Sequence, residues 1–412
     1  MASRPSPAYM ARVSVAFDPS ALAEAQDPYP LLERLRESGP VCRLESGFWA
    51  VTGYDPALEV LSHRACGSGP IGQRYMDGLP PGAARDEMSR RLNFLEPSDH
   101  QRVRSLVSKA FTPRRITDLV PWIAATAERL LDALADRERL DLLHAFAHQL
   151  PSLVISELLG VPATDRDKLT AWSDAVAPLL GLQVAPADRE RAIAAAEDFH
   201  AYLAALLDER RRRPGADLIS ALLAAEEDGQ RLDRRELLSL AATLYSAGHR
   251  TTRDLFTNGM SVLLSERTRF AHVVAGRWSV PDVVEEFLRY ETPTLFVVRI
   301  ALEPVTIGGV DIGAWEPLLV FLSAANRDPG TFERPNEFRP GRGGQPALSF
   351  AFGAHYCLGA SLARAEAGAM LAAVTRRWPG LGLAPGAVLR WHQRGPFRGL
   401  DQLLVTRGAQ VV

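Results

Sequence analysis

Residues 350–359 read Phe350-Ala351-Phe352-Gly353-Ala354-His355-Tyr356-Cys357-Leu358-Gly359, and the apolar-periodic stretch LGASLARAEAGAMLAAVTRRWP begins just after the cysteine. That spacing predicts a helix whose first turn leaves backbone N–H groups without intrahelical partners. A cysteine set before such a turn has its thiolate favoured, which suits a nucleophile or a metal ligand. The plainer alternative is a buried thiol packed as a small hydrophobe, and for a lone cysteine that is the better reading.

Further patterns lie upstream. Glu286-Phe287-Leu288-Arg289 places opposite charges at i and i+3 on one helix face; alone, it reads as a surface ion pair. Arg299 falls in the β-rich stretch LFVVRIALEPVTIGGVDI, where a strand arginine ordinarily faces water. His100 and Arg104, four apart in a helical pattern that starts at Asp99, share a face. Residues 237–262 predict one long helix, apolar on several faces and therefore centrally buried. The polar run Gly248-His249-Arg250-Thr251-Thr252 in its middle is an odd choice for a buried helix and so a place to look for function. The plain role for Thr251 is a hydroxyl bonded to the carbonyl four residues back.

Taken together, these strings resemble the cytochromes P450. Phe350, Gly353, Cys357 and Gly359 match the family's FxxGxxxCxG signature. Glu286 and Arg289 match its ExxR element, His100 and Arg104 its HxxxR element, and Ala247 through Thr252 its oxygen-binding element. Ala325-Asn326-Arg327-Asp328-Pro329 and Phe338 through Arg342 match the loops that precede the cysteine. The resemblance runs from about Asp27 to near Val405.

The resemblance implies a mainly α fold with a small β-rich region, a triangular helical haem domain occupying residues 1–412 as one domain. It implies haem b (iron protoporphyrin IX) with Cys357 as the thiolate ligand of iron, a ligand that favours O–O cleavage. Phe350 would pack beside the sulfur, and Gly353 and Gly359 would let the backbone pass close to the porphyrin. Arg299, His355, His100 and Arg104 would bind the propionates, which need cationic partners when partly buried. Glu286 and Arg289 would lock the core that supports the haem. Gly248 would make room over the iron, and Thr251 would hold the dioxygen unit in a proton relay. The implied reaction turns RH, O2, two electrons and two protons into ROH and water. No flavin or nicotinamide domain is evident, so electrons are expected from a ferredoxin and ferredoxin reductase. Docking is expected around Cys357, with basic residues from His100–Arg115.

Four departures stand out. Ala347 replaces a usual histidine, Ala351 a usual glycine and Trp315 a common turn glycine. Arg250 replaces the usual acid, and arginine stays charged and cannot carry protons at neutral pH. The favoured reading has Arg250 pointing outward and paired with an acid. Next comes an oxidation that depends less on the relay, such as oxidative coupling, and last a grip on an anionic substrate group. A peroxygenase is a further alternative, since fatty-acid peroxygenases of the family carry arginine here; they follow it with proline, where this chain has Thr251. A non-catalytic haem-binding protein is opposed by the intact Thr251 and thiolate signature.

By family geometry the substrate pocket draws on the 63–92 loop, the 176–187 loop, Leu240–Ala247, Thr294–Val298 and the Trp391–Phe397 turn. Expected contacts are Leu240, Thr243, Leu244, Leu295, Phe296, Val297 and Phe397, each of which can equally be plain core. Their apolar character points to a hydrophobic or aromatic small molecule. Enzymes of this type tailor natural products, including antibiotics, and a carrier-protein-bound substrate is compatible with this reading.

The composition excludes other classes. The 412 residues are 47% hydrophobic with formal net charge -2, which gives no basic field for nucleic acid. Cys42, Cys66 and Cys357 are too few and too far apart for a disulfide framework or a CxxC metal pair. The first 20 residues lack an apolar signal core, and no uninterrupted apolar run reaches membrane-spanning length. A cytoplasmic monomer without a membrane partner is the default. The run Arg210–Arg213 before Pro214-Gly215 reads as a solvated helix end.

Overall fold

Helix starts follow the punctuation of the chain. Pro113 opens the helix Pro113–Asp132, and the Thr112 hydroxyl accepts the Arg115 N–H at 3.3 Å. Ser279 caps Val280–Tyr290 by accepting the Asp282 N–H. Asp233 and Glu236 cap each other reciprocally, backbone N–H to carboxylate at 2.8 Å in both directions, at the start of the longest helix. The computed structural model describes residues 14–18, 21–180, 184–226 and 229–408.

In chain order, the helices that bear on function are α1 (Tyr29–Glu37), α2 (Ala83–Arg90), α3 (Pro97–Ala110), α4 (Pro113–Asp132), α5 (Gln149–Leu159), α6 (Arg166–Val176), α7 (Pro186–Arg212), α8 (Arg234–Ser265), α9 (Val280–Tyr290) and α10 (Ala360–Arg377). Five strands, β1 (Val41–Arg43), β2 (Trp49–Val51), β3 (Cys66–Gly67), β4 (Val297–Ala301) and β5 (Pro317–Val320), form one sheet in the order β1-β2-β5-β4-β3. Only β2 and β5 pair in parallel. β6 (Trp391–Arg394) and β7 (Phe397–Leu400) form a hairpin. The architecture is mainly α with small β regions, as expected.

The chain divides into two compact units, each assembled from separate stretches. The first holds Met1–Ser68, Asp254–Cys357 and Trp378–Val412, and the second Gly69–Arg253 and Leu358–Arg377. The first unit contains the five-stranded sheet. Its core joins Val41, Trp49, Tyr54, Ile307, Leu318 and Val320 on one cluster, and Leu32, Leu35, Leu295, Phe296 and Phe321 on another. In the second unit α10 packs on α4 and α6 on α7, and Met88, Val176, Leu179 and Ala196 share a cluster. Side chains of this size contribute about 1.5–3 kcal/mol each on full burial, so these clusters dominate the stability of each unit.

The 63–92 segment, expected as a long loop with short helical pieces, contains the helices Gly69–Met76 and Ala83–Arg90 and also supplies β3. A π-helical turn, Leu143–Ala147, leads into α5. Arg210 is not a solvated helix end, because it bonds the Asp217 carboxylate at 2.6 Å and the Gly160 carbonyl at 2.7 Å. Residues 181–183 of the expected 176–187 loop lie outside the described residues. Among the described residues no helix is long and apolar enough to cross a membrane.

Candidate functional site

The cysteine segment is shaped by two tight turns, Leu348–Phe350 and Gly353–His355. The Cys357 N–H donates to the Phe350 carbonyl at 2.9 Å, which closes the loop on itself. Phe350 and Tyr356 meet edge to face at 6.4 Å. The Cys357 thiol is exposed and not disulfide-bonded. Gly353 has φ +70°, and a Cβ there would lie 2.5 Å from the Leu61 carbonyl oxygen. That close approach demands glycine without reference to any bound group. Asn326 fastens the segment from below: its Oδ1 accepts the Leu348 N–H at 2.7 Å and its Nδ2 donates to Ser349 Oγ at 2.8 Å.

Glu286 and Arg289 form a buried bidentate pair, Nε to Oε2 at 2.8 Å and Nη2 to Oε1 at 2.7 Å. The surface-pair alternative does not apply. Arg289 also donates to the carbonyls of Asn326, Pro335 and Glu337, and Arg342 joins Glu286 Oε1 at 3.1 Å. A buried pair survives only with such full satisfaction. The place of Arg342 in the network was not read from the sequence, although its position in the Phe338–Arg342 match was the available signal.

Arg299, on β4, is buried rather than water-facing. Its Nη1 donates to the Val298 carbonyl at 2.8 Å, and among the described residues no carboxylate pairs with it. Burial pushes its pKa down to about 10, only partly offset by nearby Cys66. A buried cation of this kind calls for an anion, and a haem propionate fits. His355 lies 3.4 Å, Nε2 to Oγ, from buried Ser68. Continuing the β3–β4 register of Cys66 with Ala301 and Gly67 with Ile300 puts Ser68 opposite Arg299. Sequence reasoning missed Ser68, which carries no motif. Trp315 and Ala351 both have positive φ, +66° and +56°, in keeping with the glycines expected there.

In the second unit, His100 is buried on α3 with Arg104 one turn on. The expected basic face is largely engaged: Arg102 pairs with Glu236, Arg115 donates to the Ala216 carbonyl, and Lys109 donates to the Glu226 carbonyl. Arg114 and Lys109 are the exposed members of this set. A Cβ on Gly359 would meet nothing within 4 Å, so the residue leaves room beside the cysteine's helix. No group of three His, Cys, Asp or Glu side chains able to hold a metal occurs among the described residues.

Around the middle of α8, the Thr251 hydroxyl donates to the Ala247 carbonyl at 2.8 Å and Thr252 to Gly248 at 3.2 Å. A Cβ on Gly248 would press on Ile155 at 3.1 Å, so packing against α5 already favours glycine there. Arg250 does pair with an acid, Asp174 on α6, with Nε 3.9 Å from Oδ1, but it does not point outward: its side chain is 15% exposed. His249 is fully buried and also faces Asp174. Nothing in the sequence around Asp174 signals this partnership.

Thr243 and Leu244 lie partly exposed on α8, and the buried Thr243 hydroxyl has no hydrogen-bond partner among the described residues. Val297 and Phe397 are partly buried, and a bridge from Thr294 to Phe397 brings two of the expected pocket segments together. Leu295 and Phe296 instead belong to the packed core, Phe296 against Phe321 at 5.7 Å, and Leu240 is likewise buried. Leu295 and Phe296 fill the core, whereas Leu240, though buried, also lines a cavity with Leu92, Leu95 and Val103.

Comparison with known proteins is consistent throughout. Residues 280–378 match the family model described as Cytochrome P450. The chain is 38% identical over 391 residues, 92% of this chain and 91% of the relative, to cytochrome P450 monooxygenase PikC of Streptomyces venezuelae. It is 33% identical over 402 residues, 95% of this chain and 98% of the relative, to the polyketide biosynthesis cytochrome P450 PksS of Bacillus subtilis (strain 168). The solved structure of P450BioI in complex with an acyl carrier protein ligated to hexadec-9Z-enoic acid aligns with TM-score 0.85 and 32% identity, covering 94% of this chain and 100% of that one. With identity of this level over nearly all of both chains, a buried ExxR pair and an open cysteine in the signature loop, the protein belongs to the cytochrome P450 family of haem b monooxygenases.

Proposed function

We propose that this enzyme oxidises a mainly hydrophobic or aromatic natural-product intermediate, of the polyketide kind or carried on an acyl carrier protein, with electrons from a ferredoxin and its reductase. The observation that carries this reading is the one open stripe on α8: Thr243, Leu244 and Gly248 are partly exposed and Ala247 exposed, while the rest of the helix middle is mostly buried. An apolar stripe ending at a hydroxyl suits an apolar substrate held beside a polar reaction centre. Relatives whose names specify polyketide biosynthesis and an acyl carrier protein support the substrate class. The whole chain working as one haem domain, monomeric and cytoplasmic, belongs to the same reading.

Bound haem supplies the activation of dioxygen, with the Cys357 thiolate donating electron density to the iron. The chain's own part is positional. The Phe350 carbonyl fixes the Cys357 amide, and the Glu286–Arg289–Arg342 network holds the loops behind it. Arg299 and His355 are the proposed propionate partners in the first unit, and His100 and Arg104 keep the propionate role that the family resemblance implies. The Thr251 hydroxyl already spends its proton on the Ala247 carbonyl, so its lone pairs accept from a water or acid at the oxygen side. Arg250 binds Asp174 and shuttles no proton.

The Arg250 substitution favours a second reading, an oxidation less dependent on a relay, such as oxidative coupling. The test is a titration of the ferric absorption spectrum with free acids, aromatics, peptides and macrolactones. A low-spin to high-spin shift identifies the substrate class for product analysis. No shift, in protein that keeps its thiolate–CO band when reduced, moves the assignment to a carrier-bound substrate. Turnover with hydrogen peroxide and no reductase would replace the ferredoxin assignment with a peroxygenase.

A further inference from the structure

The carboxylate that the oxygen-binding element usually carries at position 250 has not disappeared; a carboxylate meets the same turn from another helix. Asp174 on α6 has Oδ1 3.2 Å from His249 Nε2 and 3.9 Å from Arg250 Nε, and Oδ2 3.9 Å from His148 Nε2. One turn earlier on α6, the Thr170 hydroxyl meets the Tyr245 hydroxyl at 2.9 Å, and Tyr245 also touches Ser156 on α5. α6 and α8 are thus joined at two successive turns, and Asp174 is the acid that faces this junction.

His249 is held from two sides: its Nδ1 faces the Tyr245 carbonyl at 3.0 Å and its Nε2 faces the Asp174 carboxylate. Asp174 thus faces both His249 and Arg250. Burial alone would raise its pKa, but the His249 hydrogen bond and the charges of His249, Arg250 and His148 outweigh this and hold it at about 2. His148 faces the same carboxylate, yet burial pushes it down to about 4, so it stays neutral near pH 7.

We propose that Asp174 is a positioning residue for the Gly248–Thr251 turn, holding Arg250 and His249 against α6 in a charge pair inverted relative to the usual one. This rests on reading that turn as the oxygen side of the site. Arginine cannot discharge itself. Without Asp174 its guanidinium loses this carboxylate, and the next residue along is Thr251. A loosened turn returns electrons as hydrogen peroxide instead of delivering them to substrate.

The experiment compares holoenzyme of the parent, Asp174→Asn and the charge-swapped double variant Asp174→Arg/Arg250→Asp. Two quantities are read: amide hydrogen exchange over residues 246–252, and hydrogen peroxide released per reducing equivalent supplied through a plant ferredoxin and its reductase. The thiolate–CO band certifies the haem site separately, so its loss in the parent defeats the functional reading and not this inference. Asp174→Asn is expected to speed exchange about tenfold and raise the peroxide share about threefold, while the swap returns both to within about twofold of the parent. An unchanged peroxide share in Asp174→Asn, or a swap no better than the single variant, overturns the proposal. If Asp174→Asn loses the CO band, Arg250→Gln, which leaves the Asp174–His249 contact in place, is read instead; it must raise the peroxide share, and an unchanged share overturns the proposal.

Discussion

The Cys357 amide donates to the Phe350 carbonyl at 2.9 Å across a loop whose first residue, Ala351, sits at φ +56° and ψ -158°. That backbone region is essentially reserved for glycine and costs an alanine about 1–3 kcal/mol. Part of the gain from glycine is lost to its greater freedom when unfolded, about 0.5–1 kcal/mol. Ala351→Gly is therefore expected to stabilise the holoprotein by about 1 kcal/mol in urea unfolding, without altering the thiolate–CO band. A destabilised variant would mean that the Ala351 methyl, which packs on the first unit's core, outweighs the backbone strain.

Glu286 accepts from Arg289, from Arg342 and, at Oε1, from the Arg339 N–H at 2.7 Å. Glu286→Gln keeps the shape but leaves Arg289 and Arg342 facing a neutral amide while Arg289 stays buried. Removing one partner of a buried pair costs about 3–5 kcal/mol, so the variant is expected to accumulate with little bound haem, measured as the Soret-to-280 nm absorbance ratio. Normal haem content would show that the carbonyls around Arg289 suffice on their own.

What the sequence made legible follows from where the chemistry lies along the chain. The cysteine string, the ExxR pair and the helix around Thr251 are contiguous or one turn apart, so spacing alone puts their residues on one loop or face. Asp174 and Arg250 come together only through the packing of α6 on α8, and no local pattern encodes that. Leu295 and Phe296 show the opposite difficulty: an apolar side chain has the same composition signal whether it lines a cavity or fills a core, and here both fill the core. Ser68 escaped notice because β3 is only Cys66–Gly67, too short to show alternation. Trp315 was visible as an oddity, and its φ of +66° with 67% exposure locates the cause in the turn.

Arg299 supports a prediction with opposite signs in two states. With no carboxylate partner among the described residues, its buried charge is a burden on the haem-free protein, and on the proposed haem arrangement it would anchor a propionate. Arg299→Met is expected to stabilise the haem-free protein by about 1–3 kcal/mol and to speed haem transfer to apomyoglobin about tenfold. A variant that loses stability in both states would place the anion partner of Arg299 within the protein itself.

Glu366 on α10 yields the pH prediction. It is buried, its Oε2 has no hydrogen-bond partner among the described residues, and burial raises its pKa well above the ordinary 4.5. The folded protein therefore holds this proton over a pH range in which the unfolded chain has released it. By linkage, the contribution of the neutral carboxyl is fully present below pH 4.5 and is lost as pH rises toward the folded-state value. Glu366→Gln keeps a neutral polar group of the same size and has no proton to lose. The variant and parent should unfold at nearly the same temperature near pH 4, and the variant should become progressively more stable than the parent toward neutral pH, by a few degrees. The check is differential scanning calorimetry of both holoproteins across that range. A difference that does not change with pH would show that Glu366 shares its proton with a neighbour or with ordered water in the folded state, and that burial alone does not govern it.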